Sequence, residues 1–292
     1  MIGITSCGYH IPFCRLERSK FGQAWDRRAG EGERAAVYFD EDSFTLGFEA
    51  SQRCLEHLKN TRRGNGQPGK NEIDALFFAS TSAPFWQRSS ASFLAAACDF
   101  PATCETVDFG ASLRSATAAL RAGMDALKSG RLSNILIAAG DVRDGQPGES
   151  EEEWLGDAGS AVTLGQDKVL AEIVGLATCS SDFWDAWRRD TDDFIQTQTS
   201  RFSTARGYHK NLVSVGKTLL EQHGLQAPNV TKVILASPDG RAHAAVAKKL
   251  GFQDTQLLDP LFHDMGAPGS ATAFLLLAVA LEVASPGDLL LL

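Results

Sequence analysis

Apolar residues in this chain fall in short runs separated by amphipathic stretches, the pattern of strands alternating with helices. Residues 1–7 read as a short strand and 42–59 as a helix with an acidic first turn. Residues 62–70, rich in Gly, Asn and Pro, read as a surface loop. A buried strand is expected at 73–80, a small-residue helix at 89–98, and a strand at 103–109. A helix at 115–129 and an apolar strand at 135–139 follow, then a hairpin of 161–164 with 169–174. The order then recurs. Helices are expected at 211–223, 242–250 and 271–284, with strands at 230–236, 256–258 and 289–292.

The recurrence has a signature in the residues themselves. Ser-Ala-Thr-Ala occurs at 115–118 and again at 270–273, 155 residues on, each time behind a turn of small residues. Ala79-Ser80 and Ala236-Ser237 each end a strand at nearly the same offset, as do the apolar strands that start at 135 and 289. Alternating strands and helices imply an α/β protein with mainly parallel, buried sheets and helices on both faces. Duplication predicts two such sheets packed through a shared helical layer. The halves fall at 1–165 and 166–292. A strand that feeds through glycine and alanine into a helix N-terminus offers backbone N–H groups to an anion or oxyanion. Neither turn carries a cysteine, histidine or carboxylate at its tip.

Composition narrows the classes. Net charge is −8, and no basic cluster exceeds an Arg-Arg pair, which argues against nucleic acid as the main partner. The six cysteines show no CxxC pairing and read as reduced thiols in a cytoplasmic protein, with no metal site implied. The longest apolar run, 271–281, is too short to cross a bilayer.

Several runs carry a resemblance. They include Gly3-Ile4-Thr5-Ser6-Cys7-Gly8-Tyr9-His10-Ile11-Pro12, Phe39-Asp40-Glu41-Asp42-Ser43-Phe44-Thr45, residues 107–120, and Val246-Ala247-Lys248-Lys249-Leu250-Gly251-Phe252. Asp182-Phe183-Trp184, Trp187-Arg188-Arg189 and Arg201-Phe202 add to them, so the matches span nearly the whole chain. Together they resemble the thiolase superfamily, specifically the archaeal-type hydroxymethylglutaryl-CoA synthases. The resemblance implies a duplicated, five-layered αβαβα fold with two mixed, mainly parallel sheets. It also implies a cysteine nucleophile at the tip of the first turn, taking an acyl group from CoA. That position, five residues beyond Asp108, is Leu113 here. The family histidine that assists at the acyl carbonyl matches Ala236, its asparagine partner matches Ala267, and the acid–base glutamate falls at Thr81.

With nucleophile, oxyanion donor and base replaced together, the covalent route has no starting group. In this respect the chain resembles the non-nucleophilic, synthase-like subunit of bacterial monoacetylphloroglucinol acetyltransferase. The resemblance then implies a homodimer that docks a catalytic thiolase and a small zinc-ribbon/OB-fold protein. It implies no tightly bound cofactor, with coenzyme A or acyl-CoA as a possible ligand. An active acyltransferase using Ser112, or non-covalent positioning of an acyl-CoA, is the alternative; a CoA-binding module without chemistry is a third.

The remaining polar candidates each have a plainer reading. Ser112 satisfies a turn, Cys98 and Cys104 pack, and His209 lies at a helix start. His243 and His263 flank the second-half turns and are the histidines placed to reach the site. Residues 182–189 with Arg201-Phe202 form either an interface or an aromatic loop anchor. The acidic run 149–153 is a solvated loop, and 156–159 is a glycine-rich turn. The apolar end, 289–292, calls for burial, by further residues or by a partner.

Overall fold

The computed structural model describes residues 1–61 and 72–292. The loop expected at 62–70 lies outside them. Strand β1 (Gly3–His10) leads into a small excursion of β2 (Arg15–Glu17), α1 (Arg18–Trp25) and β3 (Glu33–Ala35). Then come α2 (Ser43–Thr61), β4 (Ala75–Ala79), α3 (Ser90–Ala97), β5 (Glu105–Phe109), α4 (Ser115–Lys128) and β6 (Ile135–Asp141). Helix α5 (Ser150–Trp154), β7 (Ala158–Gly165) and β8 (Ala171–Glu172) follow, and then a short hairpin of β9 (Ala186–Trp187) and β10 (Gln196–Thr197). Helix α6 (Ser200–Phe202) runs through a π-helical stretch, Ser203–His209, into α7 (Lys210–Gln222). The chain ends with β11 (Lys232–Val233), α8 (Ala242–Lys249), α9 (Phe262–Met265), α10 (Thr272–Val283) and β12 (Leu290–Leu291).

The first sheet is mixed, in the order β5-β4-β6-β7-β1-β8. Parallel pairing is confined to β5, β4 and β6; β7 runs antiparallel to both β6 and β1. The hairpin expected at 161–164 and 169–174 does not form, because β7 is already paired along both edges and β8 joins the far side of β1. Strands β4, β6 and β7 are buried along their whole length, as strands covered on both faces must be.

Each face collects its own core. Leu76, Phe78, Leu136 and Ala138 meet Phe44, Ala50 and Leu55 of α2 and Ala91 and Leu94 of α3. Phe77, Ile135, Ile137 and Val162 meet Ala119, Leu120 and Met124 of α4 and Phe274, Leu275 and Leu276 of α10. Ile234, beside β11, is buried in that second cluster, which places α4 and α10 between two sheets. Beyond lie Val233, Leu235 and Leu291 against Leu220 of α7 and Val246 and Ala247 of α8. The result is the expected five layers, αβαβα. Helix α10 is apolar on nearly every side because it is the middle layer.

The second sheet is thinner than its apolar runs suggest. Strands expected at 230–236, 256–258 and 289–292 shrink to a two-residue parallel pair, β11 with β12, and a single bridge from Val233 to Leu257. Residues Asp254–Gln256 close instead into a 3₁₀ turn whose ends Gln253 and Gln256 bond reciprocally.

Helix α2 lies unusually close to the first sheet. A Cβ at Gly140 would stand 2.0 Å from the Ser43 carbonyl oxygen, and one at Gly159 2.0 Å from that of Leu46. Gly140 and Gly159 are direct partners across β6 and β7, so together they clear one track for the helix. Its start is fixed locally. The Thr45 N–H donates to Asp42 Oδ1 at 2.8 Å while the Asp42 N–H donates to Thr45 Oγ1 at 2.6 Å, a reciprocal cap.

Candidate functional site

Both Ser-Ala-Thr-Ala segments open helices, α4 directly at Ser115 and α10 through a 3₁₀ turn at Gly269–Ala271. The first turn is strained where it leaves β5: Ala111 holds φ +61°, a left-handed conformation that costs a non-glycine residue about 1 kcal/mol or more. Ser112, Leu113 and Arg114 then carry the chain into α4. Leu113 is 44% exposed, high for an apolar side chain at an inner turn. Ser112 Oγ accepts the Arg114 N–H at 3.3 Å, the turn role expected for it. Arg114 Nη1 donates to the Cys179 carbonyl at 3.0 Å and ties the turn to the segment beyond β8.

The two turns meet at a carboxylate that sequence reasoning missed. Asp141 ends β6 and is completely buried. Its Oδ1 accepts the Thr81 N–H at 2.6 Å and hydroxyl protons from Ser80 at 3.0 Å and Ser82 at 3.3 Å. Its Oδ2 accepts Thr81 Oγ1 at 3.0 Å and, from the second turn, the Ser270 N–H at 2.7 Å. That N–H lies at the start of α10, where a negative charge is favoured. Gly269, at φ +60°, passes so close that a Cβ would stand 2.2 Å from Asp141 Oδ2 and 3.0 Å from Arg143 Nη1. The first turn joins the same tip through the Ser80 N–H, which donates to the Phe109 carbonyl at 3.0 Å.

Thr81 and the two turns are therefore one assembly. Thr81 spends both its N–H and its hydroxyl on Asp141, which leaves it no proton to exchange with a ligand. Ala267 is held by main-chain bonds, donating to Trp154 O at 2.9 Å and accepting from Gly156 N at 3.3 Å. Ala236 is exposed at the end of the β11 segment, and the hydroxyl of Tyr208 donates to its carbonyl.

Behind the assembly runs a buried ionic row. Arg143 N–H donates to Asp157 Oδ1 at 2.7 Å, Arg34 Nη2 donates to the Arg143 carbonyl at 3.1 Å, and Arg34 lies 3.7 Å from Asp157. Burial pulls the Arg143 guanidinium down from its usual value, against the attraction of Asp141 and Asp157. The acidic run at 149–153 is not a loop throughout: Glu149 is exposed, but Ser150–Trp154 form α5 and only its Glu153 enters this interior. Glu153 is buried, takes the Gly30 N–H at 2.5 Å and lies 3.7 Å from Arg27. Glu153 turns inward because the β2–α1–β3 excursion brings the Gly30 N–H and the Arg27 guanidinium over it.

A cavity of about 330 Å³ opens beside the first turn, between Phe78, Ser80, Phe85, Trp86, Asp108 and Gly110. Half of the residues that line it are polar, Gln87, Arg88, Ser89 and Ser90 among them. Asp108 itself is spent on the Ala91 N–H at 2.8 Å. Among the described residues, no group of three His, Cys, Asp or Glu side chains could hold a metal ion.

The histidines reach the site less than their sequence position suggests. His263 is exposed, with Nδ1 3.1 Å from the Glu31 carbonyl. His209 is half-buried in the π-helical stretch. His243 is only 8% exposed and its Nδ1 has no hydrogen-bond partner among the described residues. Burial holds it below the ordinary value of 6.5, opposed by Asp259 and Asp239. The unfolded chain therefore takes up this proton first as pH falls. Folding stability should drop below pH of about 6.5. His243→Asn should remove that part of the slope in urea midpoints measured against pH; an unchanged slope would count against it.

The aromatic segment divides its work. Phe183 stacks on Phe202 with centroids 5.5 Å apart and packs against Gly207, so these two act as the anchor. Trp184 points outward, 63% exposed.

No family model matches the chain. It is 27% identical to the hydroxymethylglutaryl-CoA synthase of Methanosphaera stadtmanae, over 99% of this chain and 83% of that one. It is likewise 27% identical to that of Pyrococcus furiosus, over 99% and 81%. Among solved structures it is similar to 3-oxoacyl-[acyl-carrier-protein] synthase III from Aquifex aeolicus, with TM-score 0.86, 18% identity and 99% and 94% coverage. Xanthomonas campestris OleA with bound lauric acid and lauroyl-CoA gives TM-score 0.83 at 15% identity, over 98% and 93%.

Proposed function

Since the chain belongs to the thiolase-like superfamily and is homologous to the hydroxymethylglutaryl-CoA synthases, we propose that it serves an acyl-CoA condensing or acyltransferase complex without doing the covalent chemistry itself. The observation that carries this reading is Leu113 at the tip of the strained first turn, where a thioester would have to form. Ala236, Ala267 and Thr81 at the other three family positions support it: two have no side-chain polar atom, and the third is committed to Asp141. An acyltransferase built on Ser112 is disfavoured, because its hydroxyl serves the turn and no histidine among the described residues is bonded to it.

The role that remains is structural or regulatory, as a partner of a catalytic thiolase and a small zinc-ribbon/OB-fold protein in the cytoplasm. Homodimerisation is part of the reading. Strand β5 is an edge strand with Glu105, Val107 and Asp108 exposed, and Val107 is 41% exposed. Such an edge pairs readily with a second copy. Coenzyme A or an acyl-CoA is the proposed ligand, supported by the cavity beside the first turn and by the bound lauroyl-CoA of OleA. No helix among the described residues is long and apolar enough to cross a membrane.

Copurification from the native host tests the partner role. A thiolase and an OB-fold protein recovered in stoichiometric amounts would support it, and a chain that elutes alone would oppose it.

A further inference from the structure

Among the described residues three arginines are buried, and the fold bonds the side chains of two of them. Arg18 gives its donors to the carbonyls of Glu153, Glu31 and Phe262, and Arg34 gives its to those of Glu152 and Arg143. Arg143 is the exception. It is 5% exposed, yet no described residue accepts a hydrogen bond from its guanidinium. Asp141 and Asp157 attract it from beyond ion-pair contact. Nε is sealed from solvent, while Nη1 and Nη2 touch it. The guanidinium lies against the second turn, where a Cβ on Gly269 would stand 3.0 Å from both its Cδ and its Nη1. A glycine there leaves the donors clear.

A guanidinium cannot shed its charge, and a buried cation without hydrogen bonds is costly to keep. Its donors form a planar fork that matches two oxygens of a carboxylate or a phosphate. Charge and room decide between these. Asp141 and Asp157 already stand near the guanidinium, so a doubly charged phosphate meets more repulsion than a single carboxylate. The outer charges, on exposed Asp185 and Arg188, are opposite and offset each other. The edge that touches solvent is also small, which suits the smaller anion.

We propose that Arg143 is a binding residue for a small carboxylate, which its Nη1 and Nη2 donors hold at the second turn. Ala267 stands two residues before Gly269, so this carboxylate belongs to the same turn as one of the family's reacting positions. A free acid and the far end of an acyl group present the same two oxygens to the fork. The contact holds an anion and performs no chemistry. It needs none of the groups that Leu113, Ala236 and Ala267 replace.

Calorimetry of the full chain with propionate and propionamide, two ligands of one shape and different charge, tests the proposal. Wild type should bind propionate at least about tenfold more tightly than propionamide, a comparison that needs no variant to fold. Arg143→Met should bind the two alike. Since the protein itself bonds nothing to the guanidinium, this variant should keep the wild-type urea midpoint or exceed it. Arg143→Lys keeps the charge without the fork and should retain only part of the preference. Succinyl-CoA against butyryl-CoA then assigns the source within the proposal. Tighter succinyl-CoA in wild type alone points to the end of an acyl group; equal affinity, or no binding of either, points to the free acid. Wild type that does not prefer propionate would overturn the proposal, as would a preference that survives in Arg143→Met. A large drop in that variant's midpoint would count against it too, because the fold would then be using the guanidinium.

Discussion

Asp141→Ala should lower folding stability by about 4 kcal/mol. The side chain is fully buried and receives five hydrogen bonds from residues 80–82 and 270. Removing it leaves the Thr81 and Ser270 N–H groups without acceptors, each costing about 1–3 kcal/mol. It also leaves Arg143 beside an empty volume with one counter-charge fewer. The hydroxyls of Ser80, Thr81 and Ser82 can turn elsewhere, so their share is smaller. A domain of ordinary stability, about 5–15 kcal/mol, has little left after such a loss. Asp141→Asn keeps the shape and one acceptor oxygen and should cost about half as much. Urea denaturation of both variants measures this. A loss under about 1 kcal/mol for the alanine would mean that the carboxylate does not join the two turns.

The second large effect concerns chemistry put back. Leu113→Cys alone supplies a thiol at the start of α4 but neither the imidazole nor the amide that should work with it. Groups that act as a unit are strongly non-additive, so the single variant should gain little. Leu113→Cys combined with Ala236→His and Ala267→Asn should take an acetyl group from acetyl-CoA at least about 10³-fold faster than Leu113→Cys alone. Hydroxylamine should remove that group, as it does a thioester. The expectation depends on the backbone, which keeps the strained Ala111 turn and the bonded second turn. Equal, slow acetylation of the single and triple variants would mean that these positions do not converge.

The elements that could be read from the sequence were those with strong local signals. Helix α4 begins at Ser115 and α10 next to Ser270, where the repeated tetrapeptide put them. The buried strand at β6 stood out as an apolar run. Pairing was harder to read. The 161–174 hairpin looked compact in sequence, but β1 comes from more than 150 residues away and takes the edge that β8 would have used. The second sheet shortened because hydrophobic alternation reports burial, and 230–236 is buried whether or not each residue joins a ladder.

At the site, the sequence names residues for the family positions but not the partners that the fold gives them. Asp141 closes a strand whose other residues are all uncharged, a local hint, but its donors lie at 80–82 and 270 and only the fold gathers them. Tyr208 was passed over for its neighbour His209. The signal was a phenol beside a glycine, and its meaning needed the Ala236 carbonyl 28 residues away.

The most direct test of the account is the intact mass of the wild-type chain after incubation with acetyl-CoA, read before and after hydroxylamine. With Leu113 at the turn and Thr81 bound to Asp141, the account predicts an unchanged mass. A hydroxylamine-sensitive acetyl increment on the wild-type chain would contradict it.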